Sequence, residues 1–316
     1  MKAGLIKHLV CPECLSELSL DIYKESAGEI QSGQLSCYQA RHAFPIVRFV
    51  PRFVDTEKYA DSFSIQRLYV RKHFKYYKND NSGDRLFLPT TGFDGAQLAT
   101  GITLEVGCGY GRFVDVAQRL GATIVGIDLS THSIDLAQDF VGLRENVHLV
   151  QCDLFRLPFR RLSFDRIFSI GVMHHTPDTE QAFRAVVPYV RPEGQISIWV
   201  YEPVGKVHAD RWRSITTRLP HRMLYSWCIA NQILFSWIRG LPGGWRFNAV
   251  IPGDPPGPNR AFWLRVLSDF DDLSPRYAHS HTAGEVCAWF EAAGLEKIRV
   301  LERATSVTGW KPAALV

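Results

Sequence analysis

The stretch ITLEVGCGYGRF, residues 102–113, constrains the fold of this 316-residue chain more than any other segment. A short apolar run ends at Glu105, and the three glycines Gly107, Gly109 and Gly111 alternate with other residues before a helix-like pattern begins. Glycine lets the backbone turn sharply and approach a ligand without a Cβ atom in between. Because backbone amides at a helix N-terminus favour an electronegative group, the stretch predicts a strand–turn–helix cradle for a small molecule.

Strands and helices alternate along the chain after this stretch. The segments TIVGID, VHLVQCD, FDRIFSIGV and QISIWVYE are typical of buried strands, and the segments between them carry apolar residues at helical spacing. This alternation predicts a doubly wound α/β fold with a mostly parallel sheet. Such sheets bind their ligands at the carboxyl ends of the strands.

Three acidic residues follow three of the predicted strands at those ends: Glu105, Asp128 and Asp153. A dinucleotide site would favour the pattern GxGxxG, but Arg112 occupies the position of the third glycine. Acids at three strand ends instead match a ligand with a cationic amino-acid head, a ribose diol and an adenine amine. The cofactor with these three groups is S-adenosylmethionine.

Five segments together resemble class I S-adenosylmethionine-dependent methyltransferases: LEVGCGYGRF, GIDLS, QCDLFRLPF, FDRIFSIGVMHHTPD and VRPEGQISIWVYE. The resemblance covers about residues 101–203 and the C-terminal portion, and it implies an enzyme with a seven-stranded Rossmann-like sheet. It also implies a set of cofactor-binding residues: Glu105, Gly107, Cys108, Gly109, Gly111, Asp128, Leu129, Asp153 and Leu154.

The resemblance further implies a role for each part of this set. Glu105 and the glycine backbone would hold the methionine moiety, and Asp128 would bind both ribose hydroxyls. Asp153 would bind the adenine amine, with Leu129 and Leu154 packed on the ring. The alternative for Asp128 or Asp153 alone is that the carboxylate caps a helix or a turn.

Methyl transfer asks little of a protein beyond alignment and exclusion of water, because the sulfonium carries its own activation. A catalytic base is therefore not required, and the candidates follow the fourth and fifth strands: His174, His175, Tyr201 and Glu202. His175 could accept a proton from a hydroxyl nucleophile, since histidine titrates near neutral pH. The alternative is that a histidine fixes this loop while Thr176 or Asp178 caps the next helix.

Three of the seven cysteines lie near the start of the sequence. Cys11 and Cys14 form a CxxC turn, and Cys37 follows a strand-like segment. This segment resembles the short zinc ribbon that accompanies several methyltransferases, although Ala40 stands where a cysteine is expected. Because so small a β-ribbon needs a staple and zinc needs four ligands, we expect His42 to complete the site. The alternative is a ribbon that folds without metal.

The chain is expected to have three parts: a zinc-ribbon-like domain at residues 1–54, a helical linker or lid at 55–100, and the methyltransferase domain at 101–316. Within the linker, residues 63–78 have the pattern of a basic, aromatic-rich helix, and 79–95 are loop-like in composition. The catalytic domain contains a helical insertion at 203–281, after which Thr282 and Glu285 form a capping box for the last helix.

The insertion carries an apolar helix around residues 221–239, which polar residues interrupt too often for a membrane span. With its excess of positive charge it could cap the substrate pocket, form a homodimer or rest on a membrane surface. The sequence shows no signal peptide and no transmembrane stretch, so we expect a cytoplasmic protein.

Three functions match these patterns. The first is methyl transfer to oxygen or carbon of a small-molecule, glycan or lipid-like acceptor. The second is an RNA methyltransferase that binds RNA with the zinc ribbon and the helix at 63–78, although a net charge of +4 does not by itself indicate nucleic acid. The third is a non-catalytic scaffold protein that binds the cofactor.

Overall fold

In the computed structural model the protein is described over residues 1–54, 69–71, 82–203, 207–256 and 261–313. The chain divides into two compact units: Met1–Lys58 with Asn81–Glu202 and His279–Val316, and Tyr59–Asp80 with Pro203–Ala278. The basic helix predicted over residues 63–78 lies outside the described residues except for 69–71, which are helical.

A small antiparallel sheet comes first in the chain. Its strands pair in the order of the sequence: β1 (Leu18–Ser26), β2 (Glu29–Cys37), β3 (Ala43–Val47) and β4 (Val50–Pro51). Side chains point alternately to the two faces of such a ribbon, and one face is apolar. The buried apolar residues include Leu18, Ile30, Leu35 and Ile46. They join a cluster with residues of the following sheet, so the ribbon and that sheet share one core.

A seven-stranded sheet forms the centre of the first unit. Its strands are, in chain order, β5 (Ile102–Val106), β6 (Thr123–Asp128), β7 (Val147–Gln151), β8 (Phe164–Ile170), β9 (Val190–Trp199), β10 (Glu296–Val300) and β11 (Ser306–Trp310). They are arranged in the order β10-β11-β9-β8-β5-β6-β7. Strands β5 to β9 are parallel to one another, and β11 is antiparallel to both of its neighbours, β9 and β10. The predicted mostly parallel sheet is therefore confirmed.

The helices of the described residues are, in chain order, α1 (Ser82–Thr91), α2 (Arg112–Arg119), α3 (Thr131–Val141), α4 (Thr179–Val186), α5 (Val207–Thr216), α6 (His221–Arg239), α7 (Phe262–Leu273) and α8 (Ala283–Ala292). Apolar residues of α4 and α8 share one core cluster with the ribbon. Those of α1, α2 and α3 lie in a second cluster. Two separate clusters against one sheet are what a doubly wound fold requires.

Helix α1 corrects the prediction of a loop over residues 79–95. Phe87 in its centre is fully buried, and its ring contacts three further phenylalanine rings at centroid distances of 5.2–6.2 Å. The loop composition of the segment, including Pro89 within the helix, favours the opposite outcome. Burial of Phe87 in the core offsets that poor helix propensity.

The end of the ribbon continues the seven-stranded sheet beyond β7. Arg52 pairs in parallel with Gln151, and the Phe53 amide donates to the Gln151 carbonyl oxygen at 2.8 Å. The Arg52 guanidinium also donates to Gln151 Oε1 at 2.8 Å and to Asp135 Oδ1 at 2.7 Å. Strand β7 would otherwise be an open edge, and this pairing gives part of its backbone a partner.

In the second unit, helix α6 buries polar as well as apolar side chains and exposes several large apolar ones. Its buried side chains include Asn231, Gln232 and Arg239. Its exposed side chains include Met223, Ile233, Leu234 and Trp237, which are 57–63% exposed. Asp269 of α7 accepts hydrogen bonds from the amide nitrogens of Asn231 at 3.1 Å and Gln232 at 2.8 Å. Within the described ranges no helix combines the length and apolarity needed to cross a bilayer.

Candidate cofactor, acceptor and metal sites

The glycine segment links the carboxyl ends of β5 and β6. The amides of Gly107 and Cys108 both donate to the Ile127 carbonyl oxygen at 2.8 Å. Gly107 has a φ of +79°, and a Cβ atom there would come within 2.4 Å of a Val172 methyl group. Packing against Val172 therefore already requires glycine at this position. Cys108 is buried, which raises the pKa of its thiol and keeps it protonated at neutral pH.

Asp128, at the end of β6, faces this segment. Its Oδ2 accepts the Gly109 amide at 2.9 Å, and its Oδ1 accepts the Ser130 amide at 2.9 Å. These two contacts orient the Asp128 carboxylate at the end of β6. Asp153, after β7, likewise accepts the Phe155 amide at 3.0 Å. Both acids therefore stabilise turns, as the capping alternative expects.

Glu105 differs from these two acids because part of its carboxylate lacks a partner. The residue is 2% exposed, and its Oε2 is buried without a hydrogen bond to any described residue. Burial raises the pKa of Glu105 well above its usual range, and the positive charge of Arg112 opposes that shift. A buried carboxylate oxygen without a partner is costly, and a cationic ligand group would satisfy it.

Leu129 and Leu154 are buried at 8% and 7% exposure and follow the two strand ends that carry Asp128 and Asp153. The structure therefore brings the predicted cofactor-binding residues to one edge of the sheet. The unpartnered Glu105 oxygen fits an ammonium group, and the apolar leucines fit a flat ring.

His174, His175 and Tyr201 lie together after β8 and β9. The rings of His174 and Tyr201 stack with centroids 3.7 Å apart, and His175 lies 5.3 Å from Tyr201. His174 Nδ1 accepts the Tyr201 amide at 3.3 Å, which holds the two loops together. Because all three residues follow parallel strands at their carboxyl ends, they lie on the edge of the sheet that carries Glu105.

The segment before α8 forms backbone hydrogen bonds with His174 and Tyr201. The His279 amide donates to the His174 carbonyl oxygen at 2.9 Å, and the His281 amide donates to the Tyr201 carbonyl oxygen at 2.8 Å. Asp178 accepts the Gln181 amide at 2.9 Å and caps α4, one of the two capping roles expected for this loop. The predicted capping box of Thr282 and Glu285 is also present.

The four predicted metal ligands converge in the ribbon. One ligand atom from each of Cys11, Cys14, Cys37 and His42 lies within 4.8 Å of the other three. Tetrahedral zinc with Zn–S bonds of about 2.3 Å places its ligand atoms roughly 3.8 Å apart. The Ser16 hydroxyl lies 2.9 Å from Cys37 Sγ and lowers the pKa of that thiol to about 6. These residues fit a structural zinc ion, with His42 in place of the cysteine missing at Ala40.

Sequence reasoning missed the residues that connect the ribbon to the candidate cofactor site. Gln151 Nε2 donates to the Leu129 carbonyl oxygen and to Thr131 Oγ1, both at 3.0 Å, while its Oε1 accepts from Arg52. Gln151 thereby fixes the loop that follows Asp128. Gln151 could have been noticed in the sequence as a polar residue at the end of an apolar strand. No sequence pattern marks Arg52 as its partner in the ribbon.

Two family models match separate parts of the chain. Residues 104–198 match a methyltransferase domain, and residues 2–48 match the Trm112p-like protein family. The first match runs from within β5 to within β9 and contains the candidate cofactor site. The second contains the four-ligand cluster of the ribbon.

Individual relatives match over the catalytic part alone. Methyltransferase GfsG of Streptomyces halstedii is 37% identical over 99 residues, which are 30% of this chain and 36% of that protein. Probable tRNA methyltransferase 9B of Mus musculus is 31% identical over 103 residues, 32% of this chain and 22% of that protein. The chain thus matches about a fifth to a third of the length of these relatives.

A solved complex of the Haloferax volcanii Trm112 methyltransferase activator with a putative methyltransferase has a TM-score of 0.47 and 12% identity to this chain. The alignment covers 82% of this chain and 99% of that one.

The two family matches and the site geometry agree with the resemblance in the sequence. The chain thus carries a class I, S-adenosylmethionine-dependent methyltransferase domain, preceded by a Trm112p-like domain.

Proposed function

We propose that this protein transfers a methyl group from S-adenosylmethionine to oxygen or carbon of a small-molecule, glycan or lipid-like acceptor. The observation that carries the proposal is the buried Glu105 carboxylate oxygen without a partner, beside the glycine segment and at the same sheet edge as Asp128 and Asp153. An isolated buried carboxylate destabilises a protein, so a cationic ligand accounts for its presence.

Each acidic residue of the site would bind a different part of the cofactor. Glu105 would hold the ammonium group of the cofactor, Asp128 the ribose hydroxyls and Asp153 the adenine amine. When bound, S-adenosylmethionine supplies an activated methyl group. The protein then aligns the acceptor and excludes water, which the stacked rings of His174 and Tyr201 could do on the acceptor side. His175 is the candidate to accept a proton from a hydroxyl acceptor.

The substitution Asp128→Ala tests the cofactor site. We expect it to abolish the rise in melting temperature that S-adenosylhomocysteine induces in the wild-type protein. Asp178→Ala is the matched control, because Asp178 caps α4 without a place in the proposed site. Asp178→Ala removes a helix cap worth about 0.5–2 kcal/mol and Asp128→Ala removes two hydrogen bonds to backbone amides, but only Asp128→Ala should remove the ligand-induced shift. An unchanged shift in Asp128→Ala would refute the role of this residue.

RNA is the second candidate acceptor. It is favoured by the Trm112p-like domain together with the relative named as a tRNA methyltransferase. Labelled methyl groups transferred into a cell extract, split into RNA, protein, lipid and small-molecule fractions, separate the two candidates. Label in RNA, with binding that weakens steeply with salt, would support the second candidate. Binding of S-adenosylhomocysteine without label in any fraction would leave the scaffold function.

We further propose that the outward face of α6 contacts an anionic membrane surface. Residues 211–250 contain six arginines and no Asp or Glu, and Arg211, Arg218, Arg222 and Arg246 are exposed. Exposed apolar side chains flanked by cations match an anionic lipid surface better than a second copy of the same positive face.

Vesicle co-sedimentation tests this contact. Vesicles with anionic phosphatidylglycerol should bind the protein, and neutral phosphatidylcholine vesicles should bind it weakly. Trp237→Asp should reduce binding to the anionic vesicles, since Trp237 is 63% exposed on this face. Equal binding to both vesicle types, or a concentration-dependent dimer that Trp237→Asp disrupts, would refute the membrane contact.

A further inference from the structure

The turn between β10 and β11 is tied to the end of β9 by two side-chain hydrogen bonds. Trp199 Nε1 donates to the Ala304 carbonyl oxygen at 3.1 Å, and Thr305 Oγ1 donates to the Val200 carbonyl oxygen at 2.5 Å. Thr305 has a φ of +60°, which is rare for a β-branched residue. Strain of this kind persists where the surrounding contacts enforce it, and it is found preferentially at functional sites.

This turn presents Arg303 on the indole of Trp199. The guanidinium carbon lies 3.7 Å from the ring centroid, and the side chain is half-buried. In the described part of the chain Arg303 makes no ion pair and no side-chain hydrogen bond; its contact with Trp199 is the one interaction of its guanidinium at short range. A guanidinium that stacks through its face keeps the N–H groups at its edge directed away from the ring.

Arg303 lies at the edge of the sheet that carries the candidate cofactor site. Trp199 is the last residue of β9, and its ring lies 3.1 Å from the place of a Cβ atom on Gly171, directly after β8. Arg112, which follows the glycine segment, interacts electrostatically with both Glu105 and Arg303. The acceptor of a methyl group has to approach this edge beside the cofactor.

The charges around Arg303 do not neutralise it. Burial and the like charge of Arg112 lower its pKa, whereas Tyr201 and Glu202 act in the opposite direction. Glu202 is exposed and forms no ion pair with Arg303. A bound anion would stabilise the positive charge of Arg303 in this half-buried place.

We propose that Arg303, stacked on Trp199, binds an anionic oxygen group of the acceptor, either a carboxylate or a phosphate. This inference rests on the proposed methyl-transfer function and narrows its acceptor to molecules with such a group. The planar, charged fork of arginine matches both carboxylate and phosphate geometry. The ring of Tyr201 lies edge to face with that of Trp199, with centroids 5.7 Å apart.

Arg299 offers a matched control on the same hairpin. It also stacks on a tryptophan, with its guanidinium carbon 5.3 Å from the Trp310 ring, but it is exposed. Trp310 pairs with Gln195 in the middle of β9, whereas Ser306 pairs with Trp199 at its end. Arg299→Met therefore removes an arginine–tryptophan stack away from the proposed site.

The test follows the indole N–H signal of Trp199 by NMR during titration with sodium phosphate or sodium acetate, at constant ionic strength and with saturating S-adenosylhomocysteine. Trp199→Phe assigns the signal. We expect a saturable shift in the wild-type protein and in Arg299→Met, and an affinity at least about tenfold weaker in Arg303→Met. Preference for phosphate or for acetate tells which of the two groups the acceptor carries.

Two results would overturn the inference: no saturable shift in the wild-type protein with either anion, or equal affinity in Arg303→Met. The wild-type titration remains decisive if Arg303→Met does not fold. Binding of S-adenosylhomocysteine, measured on the same samples, separates this inference from the proposed function. If the cofactor product binds and neither anion does, only the anion site fails; if the product does not bind, the proposed function fails.

Discussion

Arg52 gives the sharpest test of how the ribbon supports the catalytic domain. It is 9% exposed and donates one charged hydrogen bond to Gln151 and one to Asp135. A hydrogen bond to a charged group contributes about 1.5–3 kcal/mol, and the more exposed bond to Asp135 contributes less because solvent screens it. We therefore expect Arg52→Met to lower the free energy of unfolding by about 2–4 kcal/mol.

Arg48→Met is the matched control for this substitution. Arg48 lies in the same part of the ribbon and also pairs with Asp135, at 3.4 Å, and with Asp139, but its side chain is 44% exposed. An exposed ion pair contributes at most about 1 kcal/mol. At roughly 2–4 °C per kcal/mol, the melting temperature should fall by roughly 5–15 °C in Arg52→Met and by no more than about 4 °C in Arg48→Met.

Thermal unfolding followed by differential scanning fluorimetry measures both variants. A loss in Arg52→Met no larger than that in Arg48→Met would refute the reasoning, because burial would then make no difference. A double-mutant cycle with Gln151→Leu adds a second check, since the two substitutions should be clearly non-additive if the residues interact. We also expect weaker binding of S-adenosylhomocysteine in Arg52→Met, because Gln151 fixes the Leu129 loop.

Three further predictions concern other buried groups. Glu105→Gln should weaken binding of S-adenosylhomocysteine by about tenfold or more and stabilise the ligand-free protein at neutral pH. The raised pKa of Glu105 favours the folded state at low pH, and that stability is lost as pH rises through the folded pKa. The variant should therefore lose less stability than the wild-type protein between acid and neutral pH, and equal pH profiles would contradict this. Burial raises the pKa of Asp269 from 3.8 to about 7. The resulting stabilisation of the folded state, on the order of 4 kcal/mol, should be present below about pH 4 and lost as pH rises to about 8. Urea unfolding of Asp269→Asn should lack this pH dependence, and a wild-type stability that rises with pH would contradict the prediction. Metal analysis of the purified protein should find one zinc ion per chain, reduced in Cys11→Ala and retained in Cys287→Ala, whereas a metal-free wild-type protein would show that the ribbon folds without zinc.

The sequence was sufficient where residue type and spacing both carry information. The glycines and acids at the strand ends predicted the sheet edge that the structure shows, and the CxxC with Cys37 and His42 predicted the converging ligand cluster. Both predictions depend on local geometry. The sheet edge depends on where each strand ends and a turn follows, and the metal cluster depends on ligands that lie on two turns of one ribbon. Such features need few long-range contacts to be specified.

Long-range packing produced what the sequence did not reveal. Helix α1 forms in a loop-like composition because Phe87 reaches the core. The buried amide of Gln232 in α6 depends on Asp269, which is 37 residues away, for a hydrogen-bond partner. Arg303 is one of many arginines in the sequence, and only the turn beside β9 places it on Trp199. Periodicity within one segment cannot report any of these contacts.

The pairing of Arg52 with Gln151 also sets an order of events during synthesis. The two residues are 99 positions apart, so at about 5–20 residues per second the ribbon leaves the ribosome roughly 5–20 s before its docking strand exists. During that interval the ribbon has neither the shared core nor the β7 edge to stabilise it. Besides the pairing of its own strands, metal capture by its four ligands would stabilise the ribbon without the catalytic domain. A shortage of zinc would then act first on this early folding step, before the catalytic domain has been synthesised.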